Sequence, residues 1–268
     1  MGILAGGAVV GYGLREAGHP ARSIRWSVPI PALPPHLEGF TILHLTDLHG
    51  RALDADRKAM VEVAEDGVDA VVMTGDVLSR GDLAAGRSAV ELVADLARTA
   101  PLFYCPGNHD YAPDGSVAPG ADLRAAGATV LVDGNAPGPR GTVFVGVGDP
   151  QTYRDDLDEA LRDLPPGFPL VLAHSPTIFP RVARRGLPLM LAGHTHGGQG
   201  RIPGIGTVWV PGQRGLFPEY DRGIFRRNGS VLVLSSGIGT SGPPFRYFVP
   251  PEFLIVTLHR VEDDIRGV

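Results

Sequence analysis

Short runs of apolar residues, each stopping at a polar cluster, constrain this chain more than any other feature. Residues 40–46, 68–74, Leu102–Cys105, 170–173 and Leu189–Ala192 are largely unbroken by polar side chains, the pattern of strands covered on both faces. Residues 56–64 and 87–97 instead repeat apolar side chains three and four apart, as amphipathic helices do. Strands alternating with helices predict an α/β fold. Ser175-Pro176 reads as an N-cap followed by Pro at the first helical position, so a helix is expected just after His174. Later segments, Thr142–Val147, 207–210, Ser230–Leu234 and 253–258, look like strands joined without convincing helices, which predicts a second, more antiparallel sheet. The expected assembly is a four-layer α-β-β-α sandwich: two mixed sheets face to face, with flanking helices outside.

The apolar runs end at Asp47-Leu48-His49, Gly75-Asp76, Gly107-Asn108-His109-Asp110, His174 and Gly193-His194-Thr195-His196. In open α/β sheets, functional residues gather at the carboxyl ends of strands. These clusters offer carboxylates, an amide and several imidazoles, the N/O set that borderline divalent cations prefer. Asp47 and His49 are two residues apart, so on an extended backbone both point the same way; His194 and His196 repeat the device.

Composition narrows the classes. A net charge of −5 provides no clustered Lys and Arg for a nucleic-acid surface. Cys105 is the sole cysteine, so no intrachain disulfide forms, and it reads as a small buried residue. Neither a Walker phosphate loop nor a dinucleotide fingerprint is present. Residues 3–12 are apolar and Gly-rich, but ten residues cannot cross a bilayer, which needs about 20. Two readings stay open for residues 1–25: an N-terminal arm, or the remnant of an export or anchor segment ahead of a domain over 26–268. The second makes the protein exported or membrane-associated; the first leaves a cytoplasmic one open.

The clusters resemble the calcineurin-like metallophosphoesterase superfamily, whose pattern runs D-x-H, G-D, G-N-H-[DE], a lone His, then G-H-x-H. All five elements stand in order between Ile42 and His196. Gly193 to Gln199, with the tail Gly237-Ile238-Gly239 through Pro243-Pro244-Phe245-Arg246 to Pro250-Pro251-Glu252, is similar to a bacterial phosphodiesterase-like branch, several of whose members are exported or membrane-associated. By that resemblance a first metal would be held by Asp47, His49, Asp76 and His196. A second would be held by Asp76, Asn108, His174 and His194, with Asp76 bridging. His109 would stabilise the transition state or protonate the leaving oxygen, and Asp110 would orient it. The resemblance implies a phosphoester hydrolase, a diesterase before a monoesterase, in which a hydroxide bridging two divalent ions attacks phosphorus. Mn2+ is the favoured metal, with Fe and Zn2+ open.

Arg246 and Arg51 are the candidate phosphate contacts, because a guanidinium fork matches phosphate oxygens; a structural ion pair is the competing role for Arg246. His44 has the opposite strand parity to Asp47 and belongs to the core or behind the site. His19, His36 and His259 lack a motif and read as surface residues, and Asp149 reads as a turn residue before a substrate contact. The arginines of 222–227 mark a lipid-headgroup or partner surface, or a solvated hairpin. Two further functions stay open: a lipid-linked pyrophosphatase or phospholipid phosphoesterase, and a non-catalytic scaffold, in which ligands would be expected to be missing. Specificity is expected in loops 112–121 and 211–222.

Overall fold

The computed structural model describes residues 2–79, 86–208, 210 and 216–261. Its first half runs α1 (Gly2–Gly18), β1 (Arg22–Ile30), β2 (Thr41–Leu45), α2 (Asp54–Glu65), β3 (Ala70–Thr74), α3 (Arg87–Leu96), β4 (Leu102–Cys105), α4 (Gly120–Ala125) and β5 (Ala128–Val130). The chain continues through β6 (Gly134–Pro137), β7 (Thr142–Val147), α5 (Leu157–Ala160), β8 (Phe168–Ala173), α6 (Phe179–Arg184) and β9 (Leu189–Ala192). It ends with β10 (Arg201–Ile202), β11 (Gly206–Thr207), β12 (Gly223–Arg227), β13 (Ser230–Leu234) and β14 (Glu252–Arg260).

Two six-stranded sheets form, in the orders β1-β14-β2-β3-β4-β5 and β12-β13-β9-β8-β7-β6, with β10 and β11 as a separate hairpin. Strand parity sorts side chains into layers. Ile42 on β2 and Val72 on β3 face Leu170, Leu172 and Leu191 of the other sheet in the central core, where the Phe103 and Phe144 rings stack at 3.9 Å. One residue along, Leu43, Leu45 and Val71 pack outward against Met60 of α2 and Leu92, Val93 and Leu96 of α3. Val143, Val145 and Val171 do the same against Leu157 of α5 and Phe179 and Val182 of α6. The result is the expected α-β-β-α layering.

The second sheet is the more antiparallel one, with two antiparallel pairings at its edges, β6 with β7 and β12 with β13, against one in the first, although β7, β8, β9 and β13 run parallel. Two expectations fail in detail. The predicted strand 253–258 does not join the second sheet. As β14, it enters the first sheet between β1, which it meets in parallel, and β2, which it meets antiparallel. Strand 207–210 shrinks to the β11 hairpin, and residue 209 lies outside the described residues, as do 211–215 of the expected specificity loop.

The chain from Gly13 to Arg25 is tied to this framework. β1 starts at Arg22 and pairs with β14 along its length, so the sheet begins before position 26. Ahead of it, the Gly13 carbonyl in α1 accepts from Arg246 N at 3.1 Å, and Ala21 N donates to Asp56 at 2.6 Å. None of the described helices is long and apolar enough to cross a membrane.

Candidate metal centre

Parallel strands from both sheets end on the same side of the molecule, and each cluster follows one of them. Asp47 and His49 follow β2, Asp76 follows β3, Asn108 and His109 follow β4, His174 follows β8, and His194 and His196 follow β9. To turn these side chains inward, the chain adopts left-handed backbone at Asp47, His49, Asp76, His194 and His196, with φ of 55°, 48°, 51°, 75° and 50°. Such residues cost on the order of 1–3 kcal/mol each and persist where the surroundings over-determine them. Hydrogen bonds between the turns do so here: Asp47 N donates to Gly75 O at 3.0 Å, and His49 N to Asp76 O at 2.9 Å. Gly107 and Gly193 permit the approach; a Cβ on the first would lie 2.2 Å from Asp76 Oδ1 and on the second 2.1 Å from Thr46 Oγ1.

The predicted ligands gather in two groups, and His49, Asp76 and His109 form a third set of donor atoms close enough to hold an ion. In one, His196 Nε2 stands 3.4 Å from Asp47 Oδ1 and 3.2 Å from His49 Nε2. In the other, His174 Nε2 stands 3.1 Å from both Asp76 Oδ2 and His194 Nδ1. Asp76 lies between them, because its Oδ2 is also 3.5 Å from His49 Nε2. All of these residues are buried. His109 is half-buried, donates its backbone N–H to Asp76 Oδ1 at 2.8 Å, and sets its ring edge-on to His49 at 4.9 Å.

Electrostatics follow from burial. Burial alone would raise the Asp76 carboxyl, but the His174, His49 and His109 rings hold it far below the usual carboxylate range. Burial likewise works against a charged His174, yet Asp76 keeps that imidazole well above its ordinary value. Burial lowers His49 and His196, leaving them as neutral rings with lone pairs to offer. Asp47 is pushed up by burial.

These residues fit a cation. His174 Nδ1 faces Thr74 O at 2.7 Å, which turns Nε2 toward Asp76. Asn108 Oδ1 is buried with no hydrogen-bond partner, a cost of about 1–3 kcal/mol unless something outside the protein meets it. Carboxylate, amide oxygen and imidazole converging in a buried site match borderline divalent ions.

Other expectations change. Both Asp110 oxygens accept from the backbone, Leu78 N at 3.0 Å and Gly107 N at 2.9 Å, so Asp110 fixes the turn that carries Asn108 and His109. Burial and the nearby Asp76 raise its pKa to about 7. Arg246 is 0% exposed, and its guanidinium donates to the carbonyls of Ser236, Gly237, Gly239 and Val249, leaving no face for phosphate. Arg51 donates to Ala17 O at 2.9 Å and Ile238 O at 3.1 Å, and also to His19 O, fastening α1 instead of facing the centre. Asp149 is buried and caps the turn after it, accepting Gln151 N at 2.9 Å. In the arginine run, Arg222 pairs with buried Glu252 and Arg227 with Glu219.

Two supporting residues escaped the sequence reading. Thr74 accepts from Thr46 Oγ1 as well as facing His174, and its hydroxyl meets His44 Nε2 at 2.8 Å; its place at the end of β3, two residues past Val72, which pairs with His44, was the available signal. The Gln151 side-chain amide lies against His194 Nε2, and no spacing in the chain announces that contact.

A sequence profile described as calcineurin-like phosphoesterase matches residues 40–198. The Bacillus subtilis metallophosphoesterase YkuE is 25% identical over 270 residues, covering 96% of this chain and 92% of that one. A metallophosphoesterase of Aquifex aeolicus is 30% identical over 87% of this chain and 90% of its own length. The Escherichia coli phosphodiesterase YaeI is 36% identical over 64% of this chain and 66% of its own.

Proposed function

Because the chain belongs to the calcineurin-like phosphoesterase family, whose members are metal-dependent phosphoester hydrolases, we propose that it is a phosphodiesterase with a two-metal centre. The observation that carries this is the position of Asp76, with one carboxylate oxygen 3.5 Å from His49 Nε2 and 3.1 Å from His174 Nε2. Asp47, His49, Asp76 and His196 would hold one ion, and Asp76, Asn108, His174 and His194 the other. Divalent ions held there would supply positive charge for the phosphoryl oxygens and lower the pKa of bound water.

The remaining work falls to the chain. The turn fixed by Asp110 presents His109 beside the shared carboxylate, where its ring protonates the leaving oxygen or donates a hydrogen bond to the phosphoryl group. Asp47 is held by Thr46 Oγ1 at 2.8 Å and by His194 N at 3.0 Å, so the two sheets set one carboxylate jointly. A diester preference is favoured by the name of the E. coli relative, and Mn2+ is the metal we propose for assay. Chelation abolishes hydrolysis of bis-p-nitrophenyl phosphate and added Mn2+ restores it; full turnover by metal-free protein overturns the proposal.

A further inference from the structure

A cleft of about 560 Å3 opens beside the metal centre, with His49 on one side and the C-terminal half of α1 on the other. Its α1 wall carries Leu14 and Ala17, and Val10 precedes them at i, i+4, i+7 spacing, so one apolar stripe leads away from His49 along the helix. Ala52 and Pro244 continue the apolar lining. Leu14 is 45% exposed and Val10 43%, although the helix is fastened at Gly13 O and Ala17 O. Arg51 holds α1 at Ala17 O, and a Cβ on Gly13 would lie 2.5 Å from the Tyr247 ring, so helix and domain are in direct contact.

Charge completes the argument. Among the described residues, the one Arg or Lys lining the cleft is Arg51, and it is occupied by backbone carbonyls and by Asp56 at 3.5 Å. Asp56 offsets Arg51, and Asp54 adds negative charge to the same walls. A second phosphate or a polyanionic chain would find repulsion there, whereas a hydrocarbon would find apolar surface.

We infer that α1 is the substrate-selecting wall of the site, and that the cleft takes an uncharged apolar ester substituent. The favoured substrates are then diesters of an alkyl or acyl-bearing alcohol, ahead of nucleotides. This rests on the phosphodiesterase reading above.

The test is steady-state kinetics of the full metal-loaded chain on methyl, butyl and octyl p-nitrophenyl phosphate, with thymidine p-nitrophenyl phosphate alongside. The inference expects kcat/KM to rise with chain length through KM, by up to about fourfold per methylene taken into the cleft. The thymidine ester falls below the octyl one. Leu14→Asp and Ala17→Phe each flatten the chain-length series, and octylphosphonate binds the wild type more tightly than methylphosphonate in calorimetry. A flat wild-type series, a preference for the thymidine ester, or a slope unmoved by both variants overturns the inference and leaves the phosphodiesterase intact. Absence of turnover on every ester, with or without Mn2+, overturns both.

Discussion

In the half of the centre formed by Asp76, His174 and His194, the outward nitrogen of both imidazoles has a partner: Thr74 O on His174 Nδ1 and the Gln151 amide on His194 Nε2. In the half formed by Asp47, His49 and His196, the Nδ1 atoms of both rings are buried and meet no partner. Outer hydrogen bonds fix the tautomer and orientation of a ligating histidine and raise its basicity. The Asp76–His174–His194 half therefore carries outer hydrogen bonds that the other half lacks among the described residues. The half without them is also the one whose His49 lines the α1 cleft.

Asp76 belongs to both halves, and its replacement should erase the contrast. Asp76→Asn is expected to give the largest loss, visible as kcat under saturating Mn2+ together with reduced metal content. His109→Ala removes the acid or hydrogen-bond donor and leaves both halves standing, so kcat falls by about 10^2 to 10^4 with metal content unchanged. A greater loss from His109→Ala than from Asp76→Asn would break the shared-carboxylate account.

His44 tests what supports the Asp76–His174–His194 half, since it bonds Thr74 from behind. Burial lowers its pKa from 6.5 to about 3. Above pH 6.5 the ring is neutral folded or unfolded. Between 6.5 and 3 only the unfolded chain takes the proton, so stability falls with pH, by about 5 kcal/mol across that window. Urea unfolding against pH should show this slope, and His44→Gln should reduce it.

Gln151→Ala sharpens the comparison most narrowly. It should weaken one of two Mn2+ binding steps by about 10- to 100-fold and leave the other unchanged, as read by calorimetric titration. Two equal affinities in the wild-type protein would remove the distinction between the halves.

Much of the centre was legible because each cluster sits where a single strand ends, and parallel strands must end on one side. What escaped depends on contacts distant in sequence. β14 looked like any late strand, and nothing local says that it inserts beside β2. Arg246 carries phosphate-binding chemistry, and only the fold reveals that carbonyls surround it. β1 did carry a signal, the alternation of Ile24, Trp26, Val28 and Ile30 toward the central core, which Arg22 and Pro29 masked.

The most direct measurement is anomalous diffraction at the manganese edge from crystals of the Mn2+-loaded protein. Two peaks, one on each side of the Asp76 carboxylate, are the expected result. A single peak, or manganese bound away from Asp76, would contradict it.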